Sequence, residues 1–387
     1  MKLKNLSVNI LLLLTSLYTP LFLFSLYSYF SPKNIIRLEQ AREANEMYPQ
    51  RILAVKKGFM PTFYPAEILK LENSLEKYPI GSLPNTNSYL GNEGYGMITY
   101  KTDRFGLRNP DKKWENLYGQ SNIFILGDSF AHGACVPAES TIPIHIEKVT
   151  KINTINLAMG GNTPYEYMAI LKSIVNPIVE ISKNINKVII IFYPNDNIPL
   201  YLKKEELLNS ASSIVQEEKN KNVIPSKEYI NEITSFIETN YPMSRDEIIS
   251  EIQKKHKISK RRNHQYKQSS LYYILTLYPI REKINILLKN PQTNLTSQSF
   301  PKFDTSISKR SILELSNICT NKCKPYIAYI PNSIHWKPDP RAEKYKREIE
   351  FLSNSLKIPF IDGSQVIDNR KLSNYAPKGH HLSKKGY

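Results

Sequence analysis

Short, mostly apolar runs that alternate with helical patterns constrain the fold of this chain most strongly. Such runs, bounded by glycine or polar residues, predict buried strands, because a helix would need a longer stretch. The predicted strands are Ile123–Leu126, Ile152–Leu157, Val188–Phe192, Tyr326–Ile330 and Ile358–Ile361. Helical patterns over 140–149, from Pro164 into the 170s and over 341–355 lie between them. This alternation predicts an α/β domain with a central parallel sheet and helices on both faces.

The alternation stops near Leu200, and a polar, mostly helical insert follows, with helices predicted over 203–217 and 226–240. The chain is therefore divided into residues 1–34, an N-terminal extension over 35–120, the α/β domain in two parts over 121–200 and 306–387, and an insert or cap over 201–305. Within the insert, Leu271–Leu288 is an apolar helix candidate. It packs on the sheet domain as a cap or lies on a membrane. Packing is favoured, because its leucines and tyrosines can be buried normally.

The first 34 residues resemble a membrane anchor. Lys2 and Lys4 precede a mostly apolar run from Val8 to Phe30. A span of the hydrocarbon core needs about 20 residues, and this run is long enough. It ends in tyrosines that suit a membrane boundary, and no small-residue cleavage site follows. We therefore expect an uncleaved signal anchor, a single transmembrane helix.

Charge and cysteine content exclude some classes of protein. The net charge is +17, but the basic residues are dispersed and no nucleic-acid-binding module is present, so no nucleic-acid partner is expected. Three cysteines are too few for a disulfide framework, although Cys319 and Cys323 are close enough to bridge in an oxidising compartment. The sequence leaves that bridge open. No residues have metal-ligand spacing, so neither a metal nor a cofactor is expected.

Residues suited to acyl transfer follow the predicted strands. The carboxyl edge of an open α/β sheet is where active sites form. Ser129 follows the first strand in Gly127-Asp128-Ser129, and a serine at such a turn presents its hydroxyl to the edge. Gly161 and Asn195 follow the second and third strands, where a backbone N–H and a side-chain amide could stabilise an oxyanion. His381 follows the last strand and is the usual type of base for a serine nucleophile.

Taken together, these stretches resemble the SGNH hydrolases, also called the GDSL family of esterases and lipases. The resemblance implies a flavodoxin-like three-layer α/β/α sandwich that works without a cofactor. It also implies that Ser129 is the nucleophile, that His381 is the base, and that the N–H groups of Ser129 and Gly161 and the Asn195 amide form the oxyanion hole. His132 and His380 are neighbours, and His380 could replace His381 if the loop register differs.

Two further stretches, Asp103–Asn109 and Gly133–Val136, narrow the resemblance. They are similar to bacterial membrane-anchored members found among surface-polysaccharide genes. This implies hydrolysis or transfer of short O-acyl groups, chiefly acetyl, on a glycan outside the cytoplasm. It places the catalytic domain on the extracytoplasmic side of a bacterial cell membrane. A lipid-active esterase is a further alternative, and it requires Leu271–Leu288 to contact the bilayer.

One position departs from the family. An Asp usually stands three residues before the histidine, where it holds the imidazole in the required tautomer. This sequence has Lys378 there. Three explanations stay open: a backbone carbonyl orients His381, another carboxylate such as Asp362 or Asp368 reaches it, or the activity is lost. The last describes an inactive glycan-binding or polysaccharide-assembly protein. Asp128, His380 and Asp362 are therefore supporting candidates.

Overall fold

The computed structural model describes most of the chain and divides it into two compact units. One unit contains Met1–Glu46 and Lys254–Phe300, and the other contains Met47–Gln253 and Pro301–Tyr387. The described residues are 2–29, 47–69, 75–115, 117–118, 121–182, 184–198, 202–209, 211–217, 222–264, 275, 277, 280–281, 303–334 and 339–387. All the predicted site residues lie in the second unit.

In the first unit, α1 spans Lys2–Tyr29. The Tyr18 hydroxyl donates a hydrogen bond of 2.8 Å to the carbonyl of Leu275. Within the described ranges, no helix combines the length and the apolar character that a membrane span requires. The predicted transmembrane helix is therefore not supported. The Leu271–Leu288 candidate lies almost entirely outside the described residues.

Among its described residues, the second unit contains ten strands and most of the helices. The strands are β1 Met60–Pro61, β2 Asn87–Tyr89, β3 Thr99–Lys101, β4 Asn122–Gly127, β5 Asn153–Asn156, β6 Ile185–Phe192, β7 Val215–Glu217, β8 Val223–Pro225, β9 Lys324–Tyr329 and β10 Phe360–Asp362. The helices are α2 Pro65–Ile68, α3 Ser129–His132, α4 Ile142–Thr150, α5 Pro164–Ile170, α6 Asn176–Ile181, α7 Leu202–Asn209, α8 Lys227–Asn240, α9 Arg245–His264, α10 Ser306–Cys319 and α11 Ala342–Ser355. Of these, α9 crosses from the second unit into the first.

Five parallel strands form the central sheet in the order β10-β9-β6-β4-β5. The first of these in sequence, β4, therefore has the second on one side and the third, fourth and fifth on the other. This is the strand order of flavodoxin-like sheets. The predicted central parallel sheet is confirmed, and each predicted strand overlaps an observed one. The chain leaves β4 and β6 in opposite directions, which creates a crevice at their carboxyl ends.

The burial of β4 explains why its sequence is a continuous apolar run. Phe124 and Leu126 are fully buried, as is Ile190 on the neighbouring strand β6. A strand covered by helices on both faces has no solvent side, so apolar and polar residues do not alternate along it. Right-handed crossovers place α4 on one face and α5, α10 and α11 on the other. The contacts of α10 with α5 and α11 agree with this arrangement.

The insert differs from its prediction in one segment. The predicted helix over 203–217 ends at Asn209, and Val215–Glu217 pairs instead with Val223–Pro225 as an antiparallel ribbon. The hydroxyl of Ser213 bonds both the N–H and the carbonyl of Val215. Such local side-chain bonds satisfy backbone groups that a continuing helix would need. The predicted helix over 226–240 is confirmed as α8, with Ser226 as its N-cap.

From Met47 onward, the N-terminal extension belongs to the same compact unit as the sheet, and Asp103 organises part of it. One Asp103 oxygen accepts from the N–H groups of Phe105 and Leu107, and the other from Asn109 and the Trp114 indole. Asn109 also bonds the backbone of Asn156 at the end of β5. These bonds tie the extension to the carboxyl edge of the sheet, where the candidate site lies.

Candidate active site

Ser129 begins α3 immediately after β4, at the crevice between β4 and β6. Asp128 caps this short helix by accepting a hydrogen bond of 2.9 Å from the N–H of Phe130. The turn before it is tight. A Cβ on Gly127 would lie 2.5 Å from the Cβ of Ala131 and 3.0 Å from the carbonyl oxygen of Ile191. Only glycine fits at position 127 without displacing its neighbours, so this residue permits the turn that presents the Ser129 hydroxyl.

His381 lies on the loop after β10 and contacts Ser129 directly. The distance from His381 Nε2 to Ser129 Oγ is 2.8 Å. The ring of His381 lies 5.0 Å from the Phe130 ring, which in turn stacks on Tyr193 at 3.9 Å. These aromatic rings restrict the position of the imidazole. The two residues predicted as nucleophile and base are therefore brought together from positions 252 residues apart.

Glu93, which the sequence analysis missed, occupies the third position of a triad. Its Oε1 lies 2.7 Å from His381 Nδ1, and its Oε2 accepts the backbone N–H of His381 at 3.3 Å. A carboxylate only accepts, so Nδ1 carries the proton and the lone pair of Nε2 faces Ser129. Burial raises the pKa of Glu93, but the charges of His381 and His380 and the bonds from His381 outweigh it and hold that pKa below its usual value. Glu93 is therefore ionised at neutral pH.

Two interlocking loops fix the Glu93 carboxylate. Asn92 Oδ1 accepts from the N–H groups of Gly94 and Gly96 and closes the turn around Glu93. From the histidine loop, the N–H of Lys378 donates to the Glu93 carbonyl at 3.1 Å. Gly379 packs against the carboxyl group, since a Cβ there would lie 1.9 Å from Glu93 Cδ. Lys378 thus contributes a hydrogen bond from its backbone N–H. Because Glu93 accepts from His381 Nδ1, no carboxylate is needed at position 378.

The carboxylates proposed from sequence as partners of His381 have other roles. Asp362 accepts hydrogen bonds from Ser364 and Lys346. Asp368 pairs with Arg370 on the surface. Glu93 also takes the position that a backbone carbonyl would occupy in a Ser–His dyad. No motif marks Glu93, and the only sequence signal for it was the missing acid at Lys378.

The predicted oxyanion donors lie on loops that leave the two strands flanking β4. Gly161 follows β5, is exposed and has a left-handed φ of 75°. Asn195 follows β6 and is also exposed. Burial raises the pKa of Asp128 to about 6, against the opposing hydrogen bond from the Phe130 N–H. Asp128 therefore supports the turn that presents Ser129.

The other two histidines of the region are not placed as bases. The His380 ring stacks beside the His381 ring, with centroids 4.1 Å apart, and His381 alone of the pair bonds Ser129 Oγ. His132 is fully buried, and neither ring nitrogen has a hydrogen-bond partner among the described residues. Burial first, then the charges of Arg108 and His381, lower the pKa of His132 well below its usual value. His132 is therefore a neutral packing residue.

A cavity of about 340 Å³ lies outside the triad. Its walls include Tyr100, Arg108 and Thr141, and none of the three triad residues lines it. Arg108 separates it from the nucleophile segment by donating to the carbonyls of Gly133 and Val136. The candidate active site is therefore the crevice at the sheet edge and not this cavity.

Comparisons with known proteins add little to this geometry. No protein-family model matches the chain, and no curated protein matches it. Among solved structures, the chain is similar to a protein from Desulfitobacterium hafniense described as lipolytic and of the G-D-S-L family. The identity is 12%, the match covers 69% of this chain and 94% of that chain, and the TM-score is 0.32. A TM-score that low supports no conclusion about family or function. The assignment of the candidate active site therefore depends on the strand order and on the geometry of the site.

Proposed function

We propose that this protein is a serine-dependent esterase or O-acyltransferase of the SGNH type. The observation that carries the proposal is the hydrogen-bonded series from Ser129 Oγ through His381 to Glu93. A nucleophile, a base and an acid that orients the base are the three parts such a reaction needs, and they are recognised by geometry and not by chain order. Here the acid precedes the nucleophile in sequence.

The geometry defines a two-step acyl transfer. His381 Nε2 takes the proton of Ser129 as its oxygen attacks the ester carbonyl, and Glu93 stabilises the resulting imidazolium. The oxyanion is stabilised by the N–H groups of Ser129 and Gly161 and by the Asn195 amide, each worth about 2.7–4 kcal/mol of barrier height. His381 then gives its proton to the leaving alcohol. Water or a sugar hydroxyl, deprotonated by His381, releases the acyl group in the second step.

The proposed substrate is an O-acylated, mainly O-acetylated, glycan outside the cytoplasm. Two features support this choice. The stretches Asp103–Asn109 and Gly133–Val136 are similar to those of polysaccharide-associated members of the family. The disulfide between Cys319 and Cys323 is typical of proteins in oxidising compartments. Attachment to a bacterial cell membrane stays a prediction from the sequence of the first 34 residues.

The alternative, an inactive glycan-binding or assembly protein, depended on Lys378 in the position of the usual acid. Glu93 supplies a carboxylate at His381 Nδ1, so the substitution at 378 no longer indicates loss of activity. Among the described residues, no contact of the triad favours this alternative. It is retained only as an outcome of the experiment below.

The test is turnover of short-chain esters and of an O-acetylated polysaccharide by the purified full chain. Acetate release and acetyl transfer to a deacetylated acceptor glycan are measured side by side. Ser129→Ala should abolish both, whereas Asp362→Asn, a carboxylate outside the triad, should leave them unchanged. A well-folded wild type that is no faster than Ser129→Ala on all substrates, yet binds the polysaccharide, would favour the inactive binding protein.

A further inference from the structure

Cys135 lies beside the triad and is not used by the proposed reaction. It follows the nucleophile helix α3, has a left-handed φ of 59° and is half-buried. Its sulfur faces the loop that carries Glu93, since a Cβ on Gly91 would lie 3.4 Å from Sγ. It is also the single cysteine outside the disulfide, because Cys319 and Cys323 are bridged. The chain therefore places a thiol group next to the triad.

Three side chains with different potential metal-ligand atoms lie close together at the triad. A carboxylate oxygen of Glu93, Sγ of Cys135 and a ring nitrogen of His381 all lie within 4.8 Å of one another. Sulfur, nitrogen and carboxylate oxygen are the ligands of Zn²⁺, and three protein ligands with one open position are a common arrangement. A thiolate and a carboxylate together balance the charge of a divalent cation. The donor set favours a thiophilic ion over Mg²⁺ or Ca²⁺, which prefer oxygen.

A separate feature also indicates a missing ligand. The hydroxyl of Tyr387 is buried and has no hydrogen-bond partner among the described residues. It interacts electrostatically with Glu93 and Cys135. Buried hydroxyl groups are rarely left without a partner. A water on the open position of a metal ion would supply one.

We propose that Glu93, Cys135 and His381 bind a thiophilic divalent cation of the Zn²⁺ class, and that this ion reversibly switches the triad off. On binding, the thiol proton goes to solvent and the ion forms bonds to sulfur, oxygen and nitrogen. An ion on Nδ1 replaces the bond to Glu93 and moves the ring proton to Nε2, which then no longer accepts from Ser129. An ion on Nε2 blocks that nitrogen directly. In both cases His381 can no longer act as the base. This inhibition, unlike the metal site itself, rests on the proposed esterase function.

The first experiment measures binding without turnover. The full chain, kept free of added thiols, is titrated with Cd²⁺ and followed by thiolate-to-metal charge-transfer absorption. Because Cys135 is the single cysteine outside the disulfide, the band reports on it alone. We expect saturation at one ion per chain, no band in Cys135→Ala, and affinity at least about tenfold weaker in Glu93→Gln. No band at a large excess of Cd²⁺, or an unchanged affinity in Glu93→Gln, would overturn the site.

The second experiment measures how the metal ion affects ester turnover. Zn²⁺ should inhibit ester turnover by the wild type, and a chelator should restore it, whereas Mg²⁺ should have no effect. Cys135→Ala should keep the basal activity and lose at least about tenfold of its sensitivity to Zn²⁺. Equal inhibition of wild type and Cys135→Ala would overturn the switch. If the wild type has no ester activity at all, the Cd²⁺ band still decides the metal site, so the two proposals fail separately.

Discussion

At the scale of single residues, the Glu93 carboxylate uses both oxygens on one histidine. Oε1 accepts from Nδ1 and Oε2 from the backbone N–H of His381. The side chain therefore sets the tautomer of the ring and also the position of the residue that bears it. An amide in the same place has only one acceptor oxygen and would present its NH₂ group to the other donor.

The first prediction follows from that geometry. Glu93→Gln should lower kcat by about 10²- to 10⁴-fold, because the imidazolium loses its counter-charge and the favoured tautomer. KM should change little, since Glu93 does not contact the proposed oxyanion donors. Steady-state kinetics on a short-chain ester measure both quantities.

The matched control for Glu93→Gln is Asp362→Asn, which removes a carboxylate bonded to Ser364 and Lys346 away from His381. It should retain wild-type kcat. If both variants retained wild-type kcat, Glu93 would have no role in the reaction and His381 would act in a dyad.

A second prediction concerns Gly379, which packs on the Glu93 carboxyl group. Gly379→Ala should force Glu93 to move, because the new Cβ would lie 1.9 Å from Cδ. We expect kcat to fall by about 10- to 100-fold, since a misplacement of 1 Å can cost that much. In the Glu93→Gln background the same substitution should cost much less, because residues that act as a unit are not additive. Equal losses in both backgrounds would mean that Gly379 acts independently of Glu93.

At this scale the sequence identified Ser129 and His381 as partners but did not identify Glu93. Ser129 and His381 stand next to recognisable neighbours in motifs. Glu93 stands in a glycine-rich turn, Gly91–Gly96, with nothing to distinguish it from an exposed loop glutamate. The hypothesis that another carboxylate replaces the acid at Lys378 was correct in kind, but the residues suggested for it were wrong. Which carboxylate reaches a ring nitrogen depends on tertiary packing alone.

At the scale of elements, α3 contains a buried histidine that couples stability to pH. The His132 ring packs edge-on against Tyr100 at 6.0 Å, and the Arg108 guanidinium donates a hydrogen bond to the backbone carbonyl of His132. Burial lowers the pKa of folded His132 well below its usual value, so the folded chain does not take up this proton in mild acid. The unfolded chain does, with a pKa of about 6.5. The stabilisation is present above pH 6.5 and is lost as the pH falls below it.

The third prediction is a pH-dependent stability. Between pH 7.5 and 5.5, uptake of this one proton by the unfolded chain should lower the free energy of unfolding by about 1.4 kcal/mol. His132→Phe keeps an aromatic ring and removes the titration, so its stability should fall by that much less. Denaturant unfolding at the two pH values measures the difference. Identical pH dependence in the two proteins would show that folding leaves the pKa of His132 unchanged, which would contradict this account.

The fourth prediction concerns the disulfide between α10 and β9. Cys319 and Cys323 are four positions apart, and Lys324 begins β9 directly after them. The chain-entropy argument for so short a loop gives about 2 kcal/mol of stabilisation. Reduction should lower the free energy of unfolding by about that amount and leave kcat unchanged, because the bridge lies at the amino end of β9 and the site at the carboxyl edge. A large loss of kcat on reduction would contradict this separation.

The elements were predicted well wherever burial fixes the pattern. In the central sheet, β4 and β5 are buried along their whole length, and their residues predicted the strands directly. The strands β9 and β10 are partly exposed, yet short apolar stretches predicted them as well. The insert was less predictable, because a short polar segment can form its backbone hydrogen bonds in a helix or in a two-stranded ribbon. Val215–Glu217 is a strand because it pairs with Val223–Pro225. No local sequence pattern predicts this pairing. The sequence left open whether Cys319 and Cys323 form a disulfide, and the structure contains that disulfide.

At the scale of the whole molecule, the triad is assembled from three distant parts of the chain. Glu93 comes from the N-terminal extension, Ser129 from the first sheet strand and His381 from the final loop. Glu93 and His381 are 288 residues apart. The strand order of the sheet determines where Ser129 lies, but it does not determine which loop of the extension folds over the crevice. In the proposed reaction the extension therefore supplies the acid of the triad, which the division of the sequence into domains did not suggest.

The most direct test of the triad is the rate at which a fluorophosphonate probe labels the full chain. We predict fast, stoichiometric labelling at Ser129, located by mass spectrometry, with none in Ser129→Ala and a large loss of rate in His381→Ala. Glu93→Gln should slow labelling strongly, while Asp362→Asn should react like the wild type. A folded wild type that is not labelled, or that is labelled equally fast with and without Glu93, would contradict the account of the Ser129–His381–Glu93 triad.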